Sequence, residues 1–204
     1  MNDATPIKKG RKFDQVLEGA RAVFLADGYE GASVDAIARA AGVSKATLYS
    51  YFPDKKLLFM EVAKTECRAQ VEEAGELLSH DARPAEALCQ AGRQITCFVL
   101  SDFGQSIFRM CVAESDRFPE LGREFFRTGP AVFRDRMRQY LSVASQRGEL
   151  AIDDLDLAAD QFIELCHATL FAETVFGVRE GATEAEIDRV VDGAVDTFMA
   201  RYRA

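Results

Sequence analysis

The sequence predicts an all-α protein: an N-terminal three-helix head carrying a helix-turn-helix, then a larger helical body. Three observations lead there. Apolar residues recur every three to four positions along nearly the whole chain, the spacing that lines one face of a helix. Glycine, proline and Ser/Thr/Asp caps punctuate these runs. No stretch reads convincingly as a strand, and neither an internal repeat nor a low-complexity linker breaks the pattern.

In order, Phe13, Val16, Leu17, Ala20, Val23 and Phe24 form the first stripe, which "DGYEG" ends with Gly28 and Gly31. Ser33 caps a short second helix whose Val34, Ile37, Ala38 and Ala41 share one apolar face. Gly42 stops it, Ser44 caps a third helix over 45–51, and Pro53 disfavours helical geometry at Phe52. Helix, tight glycine turn, helix is the layout of a helix-turn-helix unit. A long helix runs from Asp54 to about Ser79, with Leu57, Met60 (or Leu58) and Val62 on its inner side. "HDARP" breaks it, and Pro84 suits the first turn of the next helix, which ends near Asp102. Gly104 and Pro119 divide the following stretch into two shorter helices. Another opens at about Pro130 and is closed by Gly148, and two more occupy roughly 156–176 and 184–203. The chain thus divides into a flexible basic arm (1–10), a helix-turn-helix head (11–56) and a body (57–204).

Composition narrows the function. Of 204 residues, 48% are hydrophobic and 28% charged, with no apolar run of membrane-spanning length and no apolar stretch behind the basic N-terminus. A cytoplasmic chain without membrane contact is the expectation. Five scattered cysteines without a CxxC and only two histidines give no metal site, and no cofactor motif appears. The net charge of −8 is unevenly spread: residues 1–56 hold nine basic and seven acidic side chains, and the rest sixteen and twenty-six. An acidic body with a mildly basic head fits nucleic-acid binding at one end. Lys8, Lys9 and Arg11 are candidates to reach DNA from the arm.

The segment "VSKATLYSYFPDKK" gathers small, hydroxylated, aromatic and basic side chains on two helical turns. A helix in the major groove needs such a set. Hydroxyls bond bases or phosphates, a threonine methyl can touch thymine, and lysine neutralises phosphate charge. Lys55 and Lys56 fall in the first turn of the fourth helix, where positive charge is unfavourable beside the helix dipole unless a phosphate is near. Residues 12–60, through "VFLADGYEGASVDAIARAAGVSKATLYSYFPDKKLLFMEV", resemble the DNA-binding domain of the TetR family of transcriptional regulators. The resemblance implies a positioning helix over 34–41 and a recognition helix over 45–51. It makes Ser44, Lys45, Thr47, Tyr49 and Tyr51 DNA-facing, with Ala46 and Ser50 on the same helix. Ser33 becomes a cap near the DNA backbone and Lys55 a phosphate contact.

"AESDRFPELGREFFRTGP" looks like a C-terminal domain of one subset of these regulators, which implies a ligand-binding body and dimerisation through the last two helices. From pattern alone those helices read equally as buried core with an amphipathic cover or as a subunit interface. The resemblance favours the interface, with Phe171, Val191, Val195 and Phe198 as its candidates. Ten of the fifteen phenylalanines lie between Phe98 and Phe176, a region also holding His167. Phe98, Phe108, Cys111, Phe133, Met137, Phe162, Cys166 and Thr169 are the candidate lining of a pocket for an apolar or aromatic molecule with one polar handle.

The expectation is therefore a homodimeric, ligand-responsive repressor of a palindromic double-stranded operator. A constitutive regulator or an activator without an inducer is the alternative. A Cys166/His167 enzyme is a remote one, because neighbours on a helix point about 100° apart and make no nucleophile–base pair.

Overall fold

The computed structural model describes residues 10–78, 82–113, 115–116 and 118–204. Among them ten helices and no strand are found, so the fold is all-α as the sequence predicts. The helices are α1 (Arg11–Gly31), α2 (Val34–Ala40), α3 (Lys45–Tyr51), α4 (Lys55–Leu77), α5 (Pro84–Leu100), α6 (Asp102–Ala113), α7 (Pro119–Thr128), α8 (Pro130–Gln146), α9 (Leu155–Val175) and α10 (Glu184–Tyr202). They form two compact units that divide after Thr65. Among the described residues no single helix is long and apolar enough to cross a membrane.

In the first unit, the stripe of α1 buries Phe13, Val16, Ala20 and Phe24 together with Ile37 and Ala38 of α2 and Leu48 of α3. Aromatic contacts tie its ends. Phe13 stacks on Phe52 at 5.4 Å between ring centres, and Phe24 meets Phe59 edge-on at 4.9 Å. The α2–α3 turn needs Gly42, whose φ of 63° lies in the left-handed region that a β-carbon disfavours. Asp54 caps α4 by accepting the Leu57 amide at 2.8 Å. On α4, Leu58 is buried and Leu57 remains exposed.

The second unit is built around α5. Leu88, Ala91 and Ile95 share one core with Phe133, Met137 and Leu141 of α8, Phe162 and Cys166 of α9, and Val191, Val195 and Phe198 of α10. The chain end is pinned to the α8–α9 connection, where the Ala151 amide donates to the Tyr202 carbonyl at 2.7 Å. Two local features depart from the sequence reading. The break expected at Gly104 falls earlier, after Leu100, and α5 and α6 meet there at 66°. Gly104 lies inside α6, where a β-carbon would come within 2.2 Å of the Phe98 carbonyl oxygen, so glycine lets the corner close. In addition, α9 is interrupted at Ala168, which adopts φ 34° and ψ −138°.

Candidate nucleic-acid interface

Helix α3 is short, and its entry is set by one side chain. Ser44 accepts the Thr47 amide at 3.1 Å and shares a 2.9 Å hydrogen bond with the Thr47 hydroxyl. Ser33 does the same for α2, accepting the Ala36 amide at 3.1 Å. Lys45, at the start of α3, pairs with Asp35 of α2. The Ser50 hydroxyl donates to the Thr47 carbonyl at 2.6 Å and remains exposed, with its oxygen still able to accept. With Leu48 fully buried, helical geometry turns Lys45, Ala46, Tyr49 and Ser50 outward, and all four are exposed. These outward groups can donate to or accept from bases and phosphates without rearranging the core.

Three expected DNA contacts look different in the folded chain. Tyr51 is half-buried, edge-on against Phe13 at 5.8 Å, so its ring belongs partly to the head's core. Lys55 has partners within the head. Its ammonium donates to the carbonyls of Tyr29 at 2.7 Å and Ala32 at 3.0 Å, and it lies 4.3 Å from the centre of the Tyr29 ring. It thereby satisfies carbonyls where α1 ends, a task the sequence gave no hint of. Arg11 opens α1 as an exposed helical residue and is not part of an arm. Lys8 and Lys9 lie outside the described residues.

Residues 16–62 match the bacterial regulatory proteins of the tetR family, and residues 86–204 match the C-terminal domain of AefR-like transcriptional repressors. The chain belongs to the TetR family of transcriptional regulators. A solved putative TetR-family regulator from Mesorhizobium loti superposes with a TM-score of 0.81 at 28% identity, over 95% of this chain and 98% of that one. The flavonoid-responsive regulator FrrA is 35% identical, with a TM-score of 0.64 over 96% of this chain and 98% of its own. The HTH-type transcriptional repressor AcnR of Corynebacterium efficiens is 36% identical over 76 residues, 37% of this chain. That match spans only 40% of AcnR's length.

In this TetR-family chain the body residues singled out from sequence fall into distinct environments. Phe133, Met137, Phe162 and Cys166 are fully packed. A β-carbon on Gly92 would lie 3.0 Å from the Cys166 sulfur and 3.2 Å from the Phe162 ring, so these side chains pack closely against α5. Phe98, Phe108 and Cys111 are half-buried, and Thr169 is exposed. The expected interface residues are mostly buried within the chain, though Phe198 also lines a groove between α9 and α10. Val191 and Phe198 are 1% exposed and Val195 7%, all turned into the chain's own core. Phe171 is half-buried, between Phe108 at 5.0 Å and His167 at 5.2 Å. Val191, Val195 and Phe198 form one stripe on α10, and a stripe by itself does not say whether its own chain or a second copy covers it.

Three of the five thiols are buried enough to be poor nucleophiles. Burial pushes Cys166 and Cys67 up to about 12 and Cys111 up to about 11, so all three stay protonated near neutral pH. Burial also lowers His167 below the usual imidazole range, with Glu164 opposing. Among the described residues no group of three or more His, Cys, Asp and Glu side chains could hold a metal ion.

Proposed function

We propose that this chain represses transcription as a homodimer, gripping a palindromic double-stranded operator with α3 and letting go when a small apolar or aromatic molecule binds the body. The observation that carries the reading is the exposed face of α3, where Lys45, Ala46, Tyr49 and Ser50 project from a helix fixed by the Ser44 cap. The head of residues 11–56 would supply DNA contact, and the body of 57–204 ligand binding and pairing, with Lys8 and Lys9 reaching phosphates from the arm.

Pairing finds support in a groove of about 510 Å³ between α9 and α10, lined by Gln161, Leu165, Ala168, Thr197 and Arg201 among others. Phe198 and Tyr202 also line it, and its largely apolar surface is one that a second copy could cover. Ligand response is supported by the 35% identity to a regulator whose name declares a flavonoid response, and by the half-buried Phe98, Phe108 and Phe171.

The operator would be selected from a randomised duplex pool and titrated by fluorescence anisotropy. Tyr49→Ala should weaken binding to every duplex. Thr47→Ala should change discrimination between bases by about 1–3 kcal/mol. Binding that both variants leave unaltered would remove α3 from the interface.

A further inference from the structure

Two atoms of α6 and α9 pose a chemical question. Gln105 is 3% exposed, and its Nε2 donates to the Val99 carbonyl at 2.7 Å. That contact fixes the amide's orientation and leaves Oε1 buried with no partner among the described residues. His167 Nε2 is buried and unpartnered in the same way. Its other nitrogen, Nδ1, lies 4.0 Å from the Glu164 carboxylate, which favours the ring proton on that side and leaves Nε2 a bare lone pair. Burial keeps this imidazole neutral at pH 7. Both atoms are therefore acceptors, and only a donor can satisfy them.

Both acceptors stand within four residues of an aromatic contact between α6 and α9. Phe108 of α6 meets Phe171 of α9 edge-on at 5.0 Å, and the Arg109 guanidinium donates to the Thr174 carbonyl at 2.9 Å. Gln105 stands one turn before Phe108 on α6, and His167 lies four residues before Phe171, across the break at Ala168. The His167 ring stacks on Phe171 at 5.2 Å and 26°, which places it on the side of α9 that meets α6. Phe108 and Phe171 are only half-buried, so an aromatic surface lies beside the acceptors.

We infer that Gln105, His167, Phe108 and Phe171 form the subsite that reads the polar end of the effector, a flat aromatic molecule donating phenolic O–H groups to Gln105 Oε1 and His167 Nε2. Its ring lies against the Phe108–Phe171 pair. The inference rests on the ligand-responsive reading above and narrows it to aromatic alcohols. A carboxylate, which only accepts at neutral pH, is disfavoured by two facing acceptors.

Calorimetric titration of the full chain without DNA tests this, using a dihydroxyflavone, its monomethyl and dimethyl ethers, and dodecanoate. Each O–H lost to methylation should weaken binding about tenfold, the worth of one buried hydrogen bond. His167→Phe keeps the ring stack and removes the acceptor, so it should shrink the preference for hydroxyl over ether about tenfold while leaving the dimethyl ether's affinity unchanged. Gln105→Met provides the same comparison at the second acceptor should His167→Phe not fold. Equal affinity for the diol and its ethers, a preference that survives substitution, tighter binding of dodecanoate, or no binding of the diol would each overturn the proposal. A chain that shows the hydroxyl preference but never releases its operator would instead sink the effector reading and leave the subsite standing.

Discussion

Lys55→Met should cost the protein thermal stability and leave the salt dependence of DNA binding unchanged. The ammonium donates to two carbonyls, of Tyr29 at 2.7 Å and Ala32 at 3.0 Å, and lies 4.3 Å from the centre of the Tyr29 ring. A hydrogen bond from a charged donor contributes about 1.5–3 kcal/mol when buried and about 1 kcal/mol when weakly so. Lys55 is half-buried, so the lower figure applies to each bond. The contact with the ring adds roughly 0.5–1 kcal/mol. Methionine keeps most of the apolar stem, and the loss should therefore come to about 2–3 kcal/mol. In a unit of this size each kcal/mol is worth roughly 4–8 °C, so a fall of about 10 °C or more should appear in the head's transition by scanning calorimetry. The phosphate role implied by family resemblance predicts the opposite pair of results. Losing one phosphate contact would flatten the plot of log affinity against log salt by about 0.9 and leave melting alone. An unaltered melting curve with a flattened salt plot would refute the structural account of this lysine.

Three further tests address the body. Leu165→Glu, at the α9–α10 groove, should give a folded monomer by sedimentation, whereas Val191→Glu should chiefly destabilise the fold, by at least about 3 kcal/mol in denaturant titration, because it buries a lone charge. A stable, folded Val191→Glu monomer would restore the interface first expected at that residue. Ala168→Gly should stabilise the chain by roughly 1 kcal/mol, since glycine relieves the positive φ of 34°; a loss of about 1 kcal/mol, normal for glycine inside a helix, would argue for regular helix there. Because burial depresses the folded-state pKa of His167 below its unfolded value, the unfolded chain binds the proton more readily. The contribution of this residue is then fully present above about pH 6.5 and is lost as pH falls through the lower folded value. His167→Phe should flatten that part of the stability–pH curve, and an identical curve for the variant would assign the dependence to other groups.

What the sequence could determine was mostly local. The Ser33 and Ser44 caps, the Gly42 turn and the proline-led starts of α5, α7 and α8 act over four residues or fewer, so their chemistry is written beside the structure it produces. Periodicity in α1 likewise named Phe13, Val16, Ala20 and Phe24 as core, because a single clean stripe leaves one choice of inward face. The same argument had no purchase on α9, apolar around most of its circumference, and on α10 the single stripe of Val191, Val195 and Phe198 could be covered equally by its own chain or by a second copy. Only packing decides that Phe162 and Cys166 fill the space beside Gly92, and that Val191 and Phe198 face α5 and α9 rather than a second copy. Distance along the chain sets the other limit. Lys55 finds its carbonyl partner 26 residues away, and the Arg109–Thr174 contact between α6 and α9 spans 65. No local rule reaches so far, because such contacts exist only after the helices have chosen their neighbours.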